Sequence, residues 1–238
     1  LAVEPEHAPT RTRLRAHLEK HAQHQSLADL LAEEADDAAT DAEKVALYKQ
    51  VAAIYTDKLN DPGTAATYFE KSIELTPEDR DALLPLCDLY IAAGRQADAV
   101  PVLEKIISSY ANKRSKELAG YHHRLGKALE GLGKTEQALE HYDEAFKIDL
   151  TNVAILRDLG MLTHATGDFN RAQKTFRALL LQKLNDQSGI TKADVYFYLG
   201  DISAKQGDKT KAISMLERAV AEDKSHSPAS ALLGQLKA

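Results

Sequence analysis

The feature that most limits what this chain can fold into is a pattern of apolar and small residues that recurs along its length. From Tyr121 to Leu150, apolar residues at helical spacing predict two amphipathic helices joined by a turn at Gly131 to Gly133. A single hairpin of this kind leaves an apolar flank in water, so it needs similar hairpins beside it. The sequence supplies them, because the pair Leu125-Gly126 recurs as Leu159-Gly160, Leu199-Gly200 and Leu233-Gly234.

The residues around this pair also recur in a fixed order. The second helix carries Ala138, Tyr142 and Ala145, and the next hairpin has Ala172 and Phe176 at the corresponding positions. Earlier matches are Ala52, Tyr55, Ala65, Phe69, Leu86, Cys87, Tyr90, Gly94, Ala99 and Leu103. Over essentially the whole chain this order resembles the tetratricopeptide repeat. The resemblance implies a right-handed solenoid of stacked helix pairs with a concave, ligand-binding inner face, as in the long arrays of some bacterial proteins.

We therefore predict an all-α fold, a single superhelix over residues 1–238 with about six helix-turn-helix repeats. The hairpins are predicted at residues 8–37, 41–76, 78–110, 116–149, 152–184 and 190–224, with a partial or capping helix at 227–238. The connection from Gln182 to Ile190 is enlarged by six residues. The first hairpin diverges most, because Arg15 occupies the small-residue position, and we expect it to bury Leu14, Leu18, Leu27 and Leu31. Since the chain starts and stops inside repeats, we expect a fragment of a longer array.

Composition excludes several classes of function. The net charge of −6 and the pI of about 5.9 argue against a general nucleic-acid-binding surface, which needs a basic footprint. Cys87 is the only cysteine, so no intrachain disulfide forms, and its small-residue position predicts a buried apolar environment. No apolar run reaches the length of a membrane span, so we expect no membrane insertion and a cytoplasmic location.

Two short patterns suggest chemistry but have simpler explanations. Gly133-Lys134-Thr135 satisfies part of a phosphate-loop pattern, but a helix precedes it where a phosphate loop follows a strand. We interpret the glycine as the hairpin turn and Thr135 as the N-cap of the next helix. His17, His21 and His24 fall on adjacent turns without a cysteine or the glutamate of a zinc-protease motif, which favours a solvated helix surface. We predict no catalytic residue, no cofactor and no metal.

The resemblance also implies where a partner binds, namely along the first helices, one turn away from the packed stripe. Transferred by register, the candidate partner-binding residues are His123, Arg124, Lys127, Arg157, Met161, His164, Asp194, Phe197, Tyr198 and Asp201. Chaperone-binding members hold a peptide carboxylate with a Lys and Asn pair and a further Asn. Here His123, Lys127 and Asp158 stand at those positions, so that clamp is absent. We also expect a basic region suited to an acidic peptide, formed by Arg124, Lys127 and Arg157.

The leading hypothesis is a non-catalytic scaffold that presents its concave groove to a partner peptide or helix. Two alternatives stay open. The array is the regulatory or targeting part of a larger enzyme, such as a kinase or glycosyltransferase, or it is a structural oligomer that assembles through its end repeats. Recognition of RNA by helical repeats comes fourth, because the acidic charge balance opposes it.

Overall fold

The computed structural model describes residues 8–110 and 115–238, apart from the side chains of residues 8, 9 and 186. This part of the chain contains thirteen α-helices, a short 3₁₀ helix at Asp186–Ser188, and no strand. The helices are α1 (Ala8–Lys20), α2 (His24–Asp37), α3 (Asp41–Asp57), α4 (Pro62–Leu75), α5 (Arg80–Ala92), α6 (Gln96–Ser109), α7 (Lys116–Gly131), α8 (Thr135–Ile148), α9 (Val153–Ala165), α10 (Phe169–Leu180), α11 (Lys192–Lys205), α12 (Lys209–Glu222) and α13 (Ser227–Lys237). The predicted all-α fold class is confirmed. Among the described helices, none combines the length and the apolar character needed to cross a bilayer.

The chain divides into two compact units, Leu1–Val102 and Leu103–Ala238, and the division falls within α6. Consecutive helices pack as pairs, α3 with α4 in the first unit and α7 with α8, α9 with α10 and α11 with α12 in the second. Contacts between α8 and α9 and between α10 and α11 stack one pair on the next. The single superhelix over residues 1–238 stays a prediction.

Side chains that accept hydrogen bonds from free backbone N–H groups set the starts of several of the helices. Thr40 and Thr191 each form a reciprocal capping box, with Glu43 and Asp194 respectively. These local signals fix where α3 and α11 begin, and therefore which residues of each helix face the core.

The hairpin turns depend on glycine in the left-handed conformation, which other residues adopt with strain. The φ angle is +73° at Gly133 and +82° at Gly167 and Gly207, so the interpretation of Gly133 as a turn residue is confirmed. The predicted N-cap at Thr135 is wrong. The tight turn places Thr135 already inside α8, and Lys134 is the capping residue, without a side-chain hydrogen bond.

The buried residues of the first unit lie mainly on α2, α3, α4 and α5. Leu18, Leu27 and Leu31 are buried as predicted, but Leu14 is 42% exposed, so that prediction is wrong. The reason lies at Arg15, whose guanidinium contacts the carboxylate of the buried Glu34 on α2. Next to Leu14, the packing of α1 on α2 is therefore a polar contact.

In the second unit, the packing within each pair centres on the Leu-Gly position of the first helix. A Cβ on Gly126 would lie 2.6 Å from two ring carbons of Tyr142, which is fully buried. Phe176 covers Gly160 in the same way, and its ring also stacks on Tyr198 of the next pair, with centroids 4.9 Å apart. The second-helix aromatic residues thus close their own hairpin, and one of them also joins it to the next.

Candidate partner-binding face

The candidate residues from the sequence all lie in the second unit, on α7, α9 and α11. The structure brings them together through two contacts between neighbouring first helices, His123 with Asp158 and His164 with Asp201. We call the side chains of α7, α9 and α11 within one turn of these contacts the first-helix face. Because residues three or four apart share one side of a helix, this face includes Lys127, which lies four residues after His123.

Asp158 is the centre of a half-buried charge cluster. Its carboxylate lies 2.7 Å from Nε2 of His123 on α7 and accepts a hydrogen bond from Nε of Arg157 at 2.6 Å. Burial alone would raise the pKa of Asp158, but these two hydrogen bonds hold it below its ordinary value. The side chains of Arg157 and Asp158 are 21% and 12% exposed. Two of the three residues at the positions of the family's carboxylate clamp, His123 and Asp158, therefore contact each other and join α7 to α9.

Arg157 also holds the enlarged connection that precedes α11. Its Nη1 donates a hydrogen bond to the carbonyl oxygen of Ser188, at 3.0 Å. The following residue, Gly189, has a φ of +64°, and a Cβ there would collide with Nη1 of Arg157. The inserted residues are thus fixed to the first-helix face by a side chain that the sequence had suggested for partner binding.

The second contact repeats this arrangement one repeat later. Nε2 of His164 lies 2.6 Å from the carboxylate of Asp201, and Nζ of Lys205 lies 2.8 Å from the same carboxylate. The ring of His164 meets the edge of Tyr198, with centroids 5.1 Å apart. Desolvation raises the pKa of Tyr198, and the carboxylates of Asp194 and Asp201 raise it further. α9 and α11 are therefore joined by the contact of His164 with Asp201 and by the neighbouring aromatic contact of His164 with Tyr198.

Asp194 has a partner as well. Its carboxylate lies 3.2 Å from Nε2 of His226, the N-cap residue of α13, and the ring of His226 lies 5.4 Å from that of Phe197. Burial would raise the pKa of Asp194, but hydrogen bonds from Thr191 and His226 lower it. Both acidic residues of the predicted site, Asp194 and Asp201, thus have a histidine partner.

Lys127 and Met161 are the exposed candidates on this face. They occupy the same register position on α7 and α9, and Met161 is 42% exposed. Arg124 is half-buried, with Nη1 3.5 Å from the carbonyl oxygen of Gly120. Because Arg157 is held by Asp158, the three predicted basic residues do not form an open basic region, and Lys127 is the cation that faces solvent.

Sequence reasoning missed the partners of these side chains. It considered Asp158 only as a replacement for a clamp asparagine, and it did not single out Lys205, His226 or Ser188. A signal was present for two of the contacts, since the paired histidine and aspartate are 35 and 37 residues apart, close to one repeat. The hydrogen bond to the Ser188 carbonyl left no such signal, because any residue supplies that group.

No cluster of three or more His, Cys, Asp or Glu side chains suited to a metal occurs in the described residues 8–110 and 115–238. The rings of His17 and His21 lie 4.2 Å apart on the surface of the first unit. A cavity of about 600 Å³ lies beside the enlarged connection, where Leu184, Asp194 and Glu222 line it. It shares Asp194 with the candidate residues and otherwise lies away from Lys127 and Met161.

Comparison with protein families identifies the repeat. A tetratricopeptide repeat model matches residues 58–119 and 129–190, which is more than half of the chain, and a second such model matches residues 194–225. The chain belongs to the tetratricopeptide repeat family. Proteins of this family are generally non-catalytic interaction modules, and the Leu-Gly pairs, turn glycines and second-helix aromatic residues of this chain are its repeat positions.

Two curated relatives share part of this tetratricopeptide repeat chain. The human PEX5-related protein is 30% identical over 131 residues, covering 52% of this chain and 21% of its own length. Anaphase-promoting complex subunit 7 of Arabidopsis thaliana is 28% identical over 98 residues, covering 41% of this chain and 16% of its own length. The chain thus spans about a fifth or less of the curated relatives it matches.

Solved structures show the same fold at low identity. YrrB, a TPR protein described as having an unusual peptide-binding site, is 22% identical with a TM-score of 0.60, covering 78% of this chain and 90% of its own. PilF of Pseudomonas aeruginosa is 11% identical with a TM-score of 0.65, covering 95% of this chain and 96% of its own. MamA is 18% identical with a TM-score of 0.64, covering 78% of this chain and 95% of its own. At these identities the likeness concerns the fold.

Proposed function

We propose that the protein is a non-catalytic scaffold that binds a peptide or helix of a partner protein along the first-helix face. The observation that carries the proposal is the contrast between Lys127 and Met161, which are exposed, and the aspartates Asp158 and Asp201, which already have histidine partners. Paired charges offer a ligand little new interaction, because breaking a pair leaves one member unsatisfied. A partner therefore gains most from the apolar surface of Met161 and the ammonium group of Lys127.

These two side chains define the chemistry of the partner segment. A methionine adapts its shape to different apolar side chains, so Met161 favours an apolar anchor without demanding one residue type. Lys127 favours an acidic group one repeat away from that anchor. On α11, the rings of Phe197 and Tyr198 are half-buried, and Tyr198 contacts His164 of α9. The partner is thus an amphipathic segment with an apolar anchor and an acidic residue, which narrows the acidic peptide predicted from the sequence.

The similar proteins support this proposal by analogy. YrrB is described as having a peptide-binding site, and subunit 7 of the anaphase-promoting complex is by its name part of an assembly. Both carry repeats of the kind found here, and the binding of extended or helical segments is the use that stacked helix pairs favour.

A displayed library of random peptides tests the proposal, with binders selected on the wild-type protein. We expect the selected peptides to bind Lys127→Glu/Met161→Glu at least about tenfold more weakly, since an apolar contact and a charge-assisted hydrogen bond are lost. A matched control is Lys174→Glu/Leu181→Glu, which likewise replaces one lysine and one apolar side chain by glutamate, at exposed positions on and after α10. Peptides that bind both double variants as tightly as the wild type would refute the assignment of the first-helix face.

A further inference from the structure

Two histidines of the second unit turn ring nitrogens towards each other across a hairpin. His122 lies on α7 and His141 on α8, and Nδ1 of one ring is 2.9 Å from Nδ1 of the other. The rings are stacked, with centroids 5.2 Å apart, and both side chains are half-buried. The packing of α7 on α8 therefore holds two potential metal ligands near a fixed separation, which reduces the entropy lost when an ion binds.

The distance between the two nitrogens suits a shared metal ion. A nitrogen of imidazole binds Zn²⁺ at about 2.0–2.1 Å. Two such bonds at a right angle place the nitrogens about 2.9 Å apart, and two at the tetrahedral angle place them about 3.3 Å apart. The observed 2.9 Å is close to both values, so an ion could bind both rings after only a small movement.

Without an ion, a hydrogen bond between the rings accounts for the contact. One Nδ1 then carries a proton and the other Nδ1 accepts it, and both imidazoles are neutral. An ion would bind both Nδ1 atoms once the donor ring moved its proton to Nε2. Because this step only exchanges one neutral tautomer for the other, neither ring has to lose a proton to solvent.

The groups around the histidine pair are acidic. The carboxylates of Glu104 on α6 and of Glu140 and Glu144 on α8 each favour positive charge at His141, and Glu144 also favours it at His122. Glu144 follows His141 by three residues, so the two side chains share one side of α8. A cation placed between the rings would therefore be surrounded by negative charge, with one carboxylate on the same helix face as its ligand.

We propose that His122 and His141 bind a divalent transition-metal ion through their Nδ1 atoms, with Glu144 as the third ligand and water in the remaining positions. Imidazole and carboxylate together suit Zn²⁺, Ni²⁺ and Cu²⁺, whereas Mg²⁺ prefers oxygen ligands. Among residues 8–110 and 115–238 no three such ligands are already gathered at one point, so Glu144 has to leave Lys147. That exposed ion pair contributes little to stability, so its loss costs little.

A second pair of neighbouring rings in the chain provides a contrast. His17 and His21 on α1 have ring centroids 4.2 Å apart, and both are exposed. Nδ1 of His21, however, lies 2.8 Å from the carbonyl oxygen of His17 and so binds the backbone. This pair has similar composition and ring separation but does not direct two Nδ1 atoms at each other, which makes it the matched control.

Calorimetric titration of the full chain with Zn²⁺ at pH 7.5 tests the proposal, with Mg²⁺ as the control ion. We expect one tight Zn²⁺ site per chain and no binding of Mg²⁺ at the same concentrations. His122→Gln and His141→Gln should each weaken the tight site at least about tenfold, because even groups outside the first coordination shell change metal affinity by about 10–100-fold. Glu144→Gln should weaken it to a smaller extent. His17→Gln/His21→Gln should stay within about twofold of the wild type, since that pair is remote from the site.

Hydrogen exchange of the wild-type chain supplies a readout that does not depend on how a variant folds. Zn²⁺ should slow exchange in the segments that contain α7 and α8 and leave α1 unchanged, because an ion that binds the folded hairpin stabilises it. The proposal is overturned if Zn²⁺ neither binds tightly nor protects α7 and α8, if both single histidine variants keep the wild-type affinity, or if His17→Gln/His21→Gln loses it. An unchanged affinity in Glu144→Gln overturns the assignment of the third ligand.

Discussion

The substitution Gly126→Ala adds one methyl group to a helix and should nevertheless destabilise the second unit. The new Cβ would lie 2.6 Å from Cδ1 and Cε1 of Tyr142 and 3.2 Å from Cγ. Carbon atoms in contact are normally 3.5–4.0 Å apart, so the ring would have to move by about 1 Å. Tyr142 is fully buried and its hydroxyl donates a hydrogen bond to Glu130 at 2.7 Å, so this movement disturbs several neighbours.

Two opposing effects set the magnitude. Overpacking of a well-packed core costs roughly 1–3 kcal/mol. Replacing glycine by alanine inside a helix contributes about 1 kcal/mol of stabilisation. We expect Gly126→Ala to lower the free energy of unfolding by about 1 kcal/mol and by no more than about 2. Gly234→Ala has only the favourable effect, because nothing lies within 4 Å, and should stabilise α13 by about 1 kcal/mol.

The measurement is urea unfolding followed by far-ultraviolet circular dichroism, together with hydrogen exchange of the segments that contain α7 and α8. Local exchange is needed because a repeat array need not unfold in one step. In Gly126→Ala/Tyr142→Leu the smaller, flexible side chain should relieve the overlap, so the two changes should not be additive. Equal stabilisation by Gly126→Ala and Gly234→Ala, or full additivity with Tyr142→Leu, would refute the role of the ring.

Three further perturbations test the polar contacts of the second unit. Nδ1 of His122 lies 2.9 Å from Nδ1 of His141, and burial, together with repulsion between the rings at His122, lowers the pKa of both from 6.5. Below about pH 6.5 the unfolded chain binds protons at these two histidines that the folded chain does not, so the free energy of unfolding should be constant above this pH and fall below it. The fall should be smaller in His141→Gln. Urea unfolding midpoints measured across this pH range test both expectations. Asp158→Ala should lower the free energy of unfolding by about 1.5–3 kcal/mol in urea titrations at pH 7, since two charge-assisted hydrogen bonds are lost. Tyr142→Phe should cost about 1 kcal/mol in the same assay, because Glu130 stays hydrated when the hydroxyl is removed.

Local structure could be predicted from the sequence wherever a single residue type satisfies a local steric requirement. Glycine in a left-handed turn, as at Gly133 and Gly167, and a small residue beneath an aromatic ring, as at Gly126, are strict steric requirements that recur at the repeat period. The family resemblance therefore gave the correct fold class. Leu14 was misjudged because burial also depends on the contacts that α1 makes with α2, where Arg15, the residue after Leu14, contacts the carboxylate of Glu34.

The electrostatic state of the face could not be predicted in the same way. Arg157 has the residue type and register of a ligand-binding cation, but whether its charge is available depends on Asp158 beside it and on a backbone carbonyl at Ser188. That carbonyl is positioned by the enlarged connection, whose conformation no repeat pattern specifies. The repeat register predicts which side chains share a face of the helices. Which of those side chains already bind one another is visible only in the three-dimensional structure.

The contacts of the second unit fall into two kinds with different consequences for a repeat protein. Tyr142 on Gly126 lies within a hairpin and contributes to the stability of that repeat alone, whereas His123 with Asp158 and His164 with Asp201 join successive hairpins. In an array, cooperativity depends on the contacts between repeats, not on those within them. The paired histidines and aspartates therefore affect how the second unit unfolds, as well as the partner binding that we propose. A ligand that bound Asp158 and displaced His123 and Arg157 would weaken the contact between α7 and α9. This cost is a physical reason for the proposed partner to bind Lys127 and Met161 instead.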